Sequence, residues 1–413
     1  MTNPKLRFRS ADGSLFEDWK SVKVGDIAET CGGGTPATGN ASYWGGSIQW
    51  LTPTEINTKY VHSSERTITQ DGLKNSSAKL LPKGAIVLTT RATLGACSIN
   101  NFEGDVCTNQ GFQSLIGKSS VDSEFLYYLV ASKRFQKELE KKASGSTFLE
   151  VSPGNLKKIV VALPCKQEQD RIAQFFSTLD EKIGLAERKL TALQTLKSGL
   201  IQKIFSREIR FKREDGSNFP DWAEVKMSTM FNSIRNGFVG TIAPFYTTKE
   251  TGVRYLQGTN IHDGVISDDV EYYVTQEFNQ AHRKNILKED DILMVQSGHV
   301  GDCAVVGRYA GSNCHALIVM SNANSQKYSS DFVCYYFHSS KGRKNISLLE
   351  KGNTVKHVLA SDVAKLQMLL PTIEEQKKVV SVLRQMDAKQ ALARQELNSL
   401  ILQKQAFLQQ MFV

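Results

Sequence analysis

From Pro164 onward the chain places an apolar residue at alternating steps of four and three: Ile172, Phe176, Leu179, Ile183, Ala186, Leu190, Leu193, Leu200 and Ile204. One position of that register holds Lys197 instead. The same rhythm returns after Pro371 in Val379, Leu383, Met386, Ala393, Leu397, Leu400, Phe407 and Met411, with Gln390 and Lys404 as polar exceptions. A four-three alternation sustained over about five heptads predicts a coiled-coil seam. Each segment runs about 40 residues, beyond the ~8–20 of an ordinary globular helix. That length favours a rod over the alternative of two amphipathic core helices. Two such helices in one chain most simply pair with each other, antiparallel if a pseudo-two-fold relates them. Lys197 and Lys404 either set the register or are solvated where the helices diverge, the second being the commoner arrangement.

Ahead of each helical segment the pattern changes to short β-branched and apolar runs between turn residues, which predicts strands. Ser47–Leu51 and Ala85–Thr89 are two of them, echoed by Val253–Leu256 and Asp291–Val295. A helix is expected near Ser123–Lys141, with Phe125, Tyr128, Leu129 and Phe135 on one side. These echoes belong to a longer repeat. Arg7-Phe8-Arg9, Asp12-Gly13-Ser14, Phe16, Asp18-Trp19 and Val22-Lys23 return as Arg210-Phe211-Lys212, Asp215-Gly216-Ser217, Phe219, Asp221-Trp222 and Val225-Lys226. Gly145–Phe205 aligns without a gap on Gly352–Phe412, matching Pro164, Glu168, Gln169 and Asp180 to Pro371, Glu375, Gln376 and Asp387. Self-similarity of this length means two copies of one structural unit. The expected fold is α+β: two pseudo-symmetric strand-rich domains, 1–164 and 207–370, joined by two long helices, 165–206 and 371–413, in an antiparallel coiled coil.

The 413 residues are too many for one ordinary core, and 40% of them are hydrophobic, enough for real cores. No apolar run approaches the length of a membrane span, and Met1–Ser10 carries no apolar core of a secretory signal. Seven scattered cysteines without C-x-x-C spacing suit a reducing cytoplasm. A net charge of +9 favours a polyanionic partner.

The motifs of catalysis are missing. An adenine methyltransferase needs an Asn/Asp-Pro-Pro-aromatic loop, and the chain has no Pro-Pro. Gly111–Ser119 resembles a phosphate-binding loop, but its glycines are one residue too far apart and the second copy lacks it, so it reads as a strand end and turn. Only His62 lies in the first half; His262, His282, His299, His315, His338 and His357 lie in the second. A site belonging to the repeated unit would appear twice, and none does; a single-copy site using His299 and His315 is the remaining form, and scattered surface or core histidines are the commoner reading. Cys97 and Cys107 recur as Cys303 and Cys314, and read as buried cysteines on neighbouring strands rather than a metal pair. No catalytic residue, cofactor or metal ligand is therefore assigned.

Two similar domains on a stiff spacer form a calliper. A 40-residue helix is roughly 60 Å long at about 1.5 Å per residue, which caps the span at about 17 base pairs. Such a device reads two short sequences separated by bases that it ignores. The segment Pro164-Cys165-Lys166-Gln167-Glu168-Gln169-Asp170-Arg171-Ile172-Ala173, continuing to Leu179-Asp180-Glu181-Lys182-Ile183, resembles the signature that opens the spacer helix of Type I restriction-modification specificity (S) subunits. The second copy departs from it: Lys378-Val379-Val380 stands for Arg171-Ile172-Ala173, and Met386 for Leu179. Leu6-Arg7-Phe8, Gly33-Gly34-Thr35-Pro36, Tyr43-Trp44-Gly45-Gly46 and Ile48-Gln49-Trp50 resemble the start of a target recognition domain in that family. The resemblance implies a non-catalytic subunit that recognises a bipartite, asymmetric site on double-stranded DNA. It also implies partners: modification (M) methyltransferase subunits, two of them, docked on the helical spacer, and restriction (R) subunits on that core.

Residues that read sequence should differ between the copies, sit in loops and carry forked or planar donors. Thr90-Arg91-Ala92-Thr93 against Gln296-Ser297-Gly298-His299 meets this description after matched strands. A second pair is Thr35 to Trp44, including Tyr43, against Arg235-Asn236-Gly237-Phe238 through Thr248-Lys249. Lys74, Lys79 and Arg254 are expected at phosphates, which position without specifying. Two rivals remain: a single-chain nuclease or methyltransferase, set against the missing motifs, and a two-domain coiled-coil scaffold without DNA specificity.

Overall fold

The computed structural model describes residues 4–91, 93–145, 149–322 and 324–412. The chain divides into two compact units, 1–187 with 394–413, and 188–393. Each contains one strand-rich domain and a segment of both long helices, which run Lys166–Phe205 and Ile373–Met411.

The first unit opens with β1 (Lys20–Lys23), β2 (Ala28–Gly32), β3 (Trp44–Leu51), β4 (Tyr60–Val61) and β5 (Arg66–Ile68). It continues with β6 (Ile86–Leu88), β7 (Cys97–Asn100), β8 (Val106–Thr108), β9 (Gln113–Gly117) and β10 (Val160–Leu163). They form a five-stranded sheet in the order β2-β9-β6-β7-β4, a three-stranded sheet β5-β3-β8, and the pair β1-β10. In the second unit β11 is Ala223–Lys226, β12 Phe231–Asn236, β13 Val253–Leu256, β14 Ile261–His262, β15 Val265–Ile266 and β16 Tyr272–Val274. There follow β17 (Ile292–Val295), β18 (Cys303–Val305), β19 (Asn313–Cys314), β20 (Leu317–Asn322) and β21 (Gln367–Leu370). Their orders, β12-β20-β17-β18, β16-β13-β19 and β11-β21, repeat those of the first unit apart from its edge strand β4. The departure is local: β4 lies parallel to β7, whereas β14 turns back on β15 as a hairpin. The four strand expectations all fall on strands: β3, β6, β13 and β17.

The helix expected near Ser123–Lys141 is two helices, α1 (Ser123–Ala131) and α2 (Lys133–Lys142). Ser132 separates them with extended backbone, its hydroxyl accepting from the Phe135 amide. A serine hydroxyl that caps a new helix competes with continuation of the old one. Ser339 does the same between Ser330–His338 and Ser340–Ser347.

The start of each long helix is tied to its own domain by a buried carboxylate. Glu168 is fully buried and accepts from Arg7 Nε at 3.1 Å, Arg7 Nη2 at 2.8 Å and Trp19 Nε1 at 2.9 Å. The bond to Glu168 raises the Arg7 pKa further above its ordinary value. Gln169 donates to the carbonyls of Pro164 and Ser120 and accepts from the Asp122 amide at the head of α1. Glu375 and Gln376 repeat both arrangements, with Arg210 and Trp222 and with Pro371, Lys327 and the Ser329 amide. The Glu-Gln signature is thus a structural joint.

Within each unit the two helix segments run antiparallel. In the first, Phe175 packs edge-on against Phe407, and Phe176 meets Phe412 with the rings tilted at 35°. In the second, Gln390 donates to the Leu193 carbonyl. The seam lysines are not left to solvent. Lys404 pairs with Asp180 at 2.5 Å, and Tyr128 donates to the same carboxylate at 2.6 Å. Lys197 pairs with Asp387, which also accepts from Tyr335. With only 14% of the Lys197 side chain and 23% of the Lys404 side chain exposed, the expectation of a solvated lysine is corrected: each is paired with an aspartate of the facing helix. Among the described residues no helix is long and apolar enough to cross a membrane.

Candidate nucleic-acid interface

Each domain displays its first candidate loop at the end of a fully buried strand, β6 or β17. The frame of the loop is the same in both. The Gly95 amide donates to the Thr89 carbonyl at 2.9 Å, and the Gly301 amide to the Val295 carbonyl at 2.9 Å. A later segment then braces the loop: the Val151 amide donates to the Thr90 carbonyl, and the Val358 amide to the Gln296 carbonyl. Bridges pair Arg91 with Glu150 and Ser297 with His357. The bracing residues are themselves held by bridges of Ser144 with Glu150 and Lys351 with His357.

On this shared frame the side chains differ. Arg91 is exposed and paired with Glu150, its Nε 3.1 Å from the carboxylate. Thr93 is exposed, and its carbonyl accepts from the Thr89 hydroxyl and the Ala96 amide. Ala92 lies outside the described residues. In the second unit Ser297 and His299 are exposed and Gln296 half-buried. His299 Nε2 sits 3.1 Å from the Gly258 carbonyl and 3.2 Å from that of Ile261, and its ring stacks on His262 at 5.2 Å.

The second candidate loop starts where a glycine backbone passes another strand. A Cβ on Gly33 would stand 2.0 Å from the Asn109 carbonyl oxygen, so no other residue fits. The Gly34 carbonyl accepts from Trp50 Nε1 at 2.8 Å. Thr35, half-buried, donates to Gln110. Asn40 caps a short turn, Ala41–Tyr43, by accepting from the Ser42 amide. Tyr43 is half-buried, its carbonyl accepting from the Thr69 amide. The turn delivers Trp44, over whose ring the exposed Arg66 guanidinium lies at 3.6 Å. A guanidinium held over an indole is a pre-ordered cation at the surface. Neither residue was a sequence candidate for this pairing, since cation and ring are 22 positions apart.

In the second unit the candidates divide. Arg235 and Asn236 are not in a loop: they end β12, paired with Val319 and Ile318 of β20. Arg235 is half-buried and donates to the Ser321 hydroxyl at 3.0 Å, so it is packed, while Asn236 is exposed at the strand end. Lys249 is exposed and paired with Glu271 at 3.1 Å. Of the expected phosphate-binding residues, Lys74 and Lys79 are exposed. Arg254 is not: 12% of its side chain is exposed, it pairs with Asp268 at 3.2 Å, and its guanidinium lies by the ring of its cross-strand partner Tyr273.

Gly111–Ser119 contains β9, as its strand reading anticipates. Cys97 and Cys107 are not on neighbouring strands, since β7 and β8 belong to different sheets, and the same holds for Cys303 and Cys314. Burial pushes the Cys107 and Cys314 thiols up to about 12. His315 is not beside His299; its ring meets Tyr255 and Phe238, and burial lowers its pKa. The residues that brace the loops, Glu150-Val151 and His357-Val358, were missed. The signal was present: the gapless half of the repeat begins at Gly145 and Gly352.

Known proteins resemble this chain in sequence and in fold. The family model described as "Type I restriction modification DNA specificity domain" matches residues 16–195 and again 220–402. The MjaIX specificity subunit of Methanocaldococcus jannaschii is 28% identical over 382 residues, covering 89% of this chain and 86% of that protein. The EcoR124I/EcoR124II specificity subunit of Escherichia coli is 24% identical over 198 residues, 47% of this chain and 46% of its own. Among solved structures, the S subunit from M. genitalium superposes with a TM-score of 0.57 at 16% identity, covering 100% of this chain and 99% of that one. A chain from a study of complex assembly and conformational transition in a Type I system superposes with a TM-score of 0.61 at 18% identity, covering 94% and 96%.

Proposed function

This chain belongs to the Type I restriction-modification DNA specificity family, and from that premise we propose that each of its two units reads one half of a bipartite, asymmetric site on double-stranded DNA. The observation that carries the reading is the shared loop frame with unlike side chains. The first unit offers Arg91 and Thr93 with Thr35 and Tyr43, and adds Arg66 on Trp44. The second offers Gln296, Ser297 and His299 with Asn236 and Lys249. Arg bidentate to guanine and Gln bidentate to adenine are the pairings that such side chains make with base edges in the major groove. In this reading Glu150 holds the Arg91 guanidinium in a plane ready for a base edge, and exchange of one acceptor for another keeps the guanidinium paired.

The chain performs no chemistry of its own in this reading. Two modification subunits dock on the long helices and nearby domain surfaces and methylate adenine, and restriction subunits join them. The spacer between the half-sites follows from the helices rather than from the loops.

The test is adenine-methylation mapping of DNA from cells that express the chain with its modification subunit. One methylated bipartite motif, lost on deletion of the chain, supports the reading. Deleting one heptad from both helices should then change the spacer and leave both half-sites intact. Absence of any bipartite motif with a soluble modification subunit present overturns it in favour of a scaffold without DNA specificity.

A further inference from the structure

In the second unit two thiols and an imidazole converge with no counterpart in the first. Cys334 and His338 lie one turn apart on the helix Ser330–His338, so they share a face. That face packs on β18, where Cys303 Sγ stands 3.4 Å from Cys334 Sγ. His338 Nε2 is 3.8 Å from each sulfur. Tetrahedral zinc with bonds of about 2.3 Å to sulfur and about 2.0–2.1 Å to nitrogen requires edges of about 3.8 Å between sulfurs and about 3.6 Å from sulfur to nitrogen. The three observed edges are within a few tenths of an ångström of these values.

The trio is not something the fold requires. The positions equivalent to Cys303, Cys334 and His338 in the first unit hold Cys97, Tyr127 and Ala131. There the same helix–strand packing is filled by a ring and a methyl group. We propose that Cys303, Cys334 and His338 bind one zinc(II) ion, with the two sulfurs as thiolates and a fourth position open to water or to the Cys303 carbonyl oxygen. That oxygen already lies 3.0 Å from His338 Nε2 and 3.2 Å from Cys334 Sγ. Two thiolates with an imidazole suit zinc over magnesium or calcium, which take oxygen ligands. A cleft of about 270 Å³ that reaches Cys334 past Gly264, Val305 and Asp331 supplies a path of entry.

Binding rearranges the surroundings in a defined way. His338 Nδ1 now faces Arg343 Nη2 at 3.2 Å, and Nε2 faces a carbonyl, so Nε2 carries the ring proton. With zinc on Nε2 the ring proton moves to Nδ1 and Arg343, whose side chain is 41% exposed, swings away. The Nδ1–H is then open to water or to Asp302, the carboxylate that now holds Arg343. The two thiol protons pass to solvent. The ion would pin β18, and with it the Gln296–His299 loop between β17 and β18, to the helix behind. The neighbouring group His262, His299 and Asp302 is a weaker candidate, because it offers no thiolate and both of its histidines are exposed.

The full chain, purified under reducing conditions and freed of metal, is titrated with cobalt(II) and then zinc(II). One equivalent of cobalt should give near-ultraviolet thiolate charge-transfer bands and the visible bands of a tetrahedral ion, and zinc should abolish them. Cys334→Ala should lose the charge-transfer intensity. His338→Ala, the residue the first unit carries and the fold therefore accommodates, should shift the visible bands and weaken binding at least tenfold. His262→Ala should change neither. No thiolate bands in the unaltered chain, or bands that survive Cys334→Ala, would overturn the proposal. So would a metal-free chain whose intact mass shows the two cysteines oxidised to a disulfide even under reductant. None of these readouts depends on DNA recognition.

Discussion

The two units share strand orders, helix breaks, loop frames and the Glu-Gln joint, and differ in what those frames hold. At the joint, Arg7 is 9% exposed and Trp19 Nε1 lies 2.9 Å from Glu168, whereas Arg210 is 27% exposed and Trp222 Nε1 lies 3.3 Å from Glu375. At the seam, Asp180 serves Lys404, Tyr128 and also Lys59 at 3.6 Å, while Asp387 serves Lys197 and Tyr335. At the loops, an Arg–Glu pair in the first unit corresponds to a Ser–His bridge in the second. Duplication preserved what orders the backbone and released what faces outward. The first unit is also the more heavily clamped, so equivalent substitutions should not cost the same.

The joint is where the difference should be largest. Glu168→Ala takes its buried carboxylate from the Arg7 guanidinium, which retains the Phe16 and Glu17 carbonyls, and from the Trp19 indole N–H, and loss of one partner from a buried ion pair costs about 3–5 kcal/mol. Glu375→Ala should cost less, about 2–3 kcal/mol, because water reaches Arg210. Two units make a single unfolding free energy ill-defined, so the measurement is amide hydrogen exchange resolved by unit. Protection should fall in the altered unit and hold in the other. Equal losses in both variants would remove the asymmetry between the joints.

At the seam, Asp387→Ala strands Lys197 with 14% of its side chain in water. Charged hydrogen bonds of this kind contribute about 1.5–3 kcal/mol. Asp180→Ala should cost less, since Lys59 keeps Glu124 at 2.5 Å. Double-mutant cycles of Asp387 with Lys197 and Asp180 with Lys404 should give couplings of about 0.5–3 kcal/mol, the former larger. Zero coupling would return the lysines to the solvated role.

At the loops the expected effect is on recognition rather than stability. Arg91→Ala should relax one half of the methylated motif, by about 1–3 kcal/mol of discrimination for each bidentate pairing it removes, and leave the other half unchanged. Gln296→Ala should do the converse. A substitution in one unit that altered both half-sites would sink the assignment of one half-site to each unit.

How far this was legible in the sequence follows from the range of each interaction. The strands and long helices were, because periodicity is a local property and appears twice. The break at Ser132 could have been read, since a serine three residues before Phe135 is a cap signal, but the apolar stripe continued across it. The lysine partners could not, because Asp387 is 190 positions beyond Lys197 and nothing local to either announces the other. The Arg66–Trp44 stack and the Cys303–Cys334–His338 trio were missed for a related reason. Comparing the copies finds what is repeated, as it could have found the bracing residues, whereas among the described residues the stack and the trio occur in one unit only.

The smallest predicted difference tests the comparison most finely. Tyr128 donates to Asp180 and accepts from Lys59 Nζ at 2.6 Å, and burial raises its pKa well above the ordinary phenol range. Tyr335 likewise donates to Asp387, with burial acting the same way on its pKa, but Lys197 meets only its ring, at 5.8 Å. Removing either hydroxyl takes one hydrogen bond from an aspartate that keeps its lysine, a loss of about 1 kcal/mol. Tyr128→Phe also takes an acceptor from Lys59, a largely buried ammonium that retains Glu124 and Ser177. It should therefore exceed Tyr335→Phe by about 0.5–1 kcal/mol in unit-resolved exchange. The reverse order would mean that the added partners of Asp180 weaken each bond that they share, and that the first unit's clamp is more crowded rather than stronger.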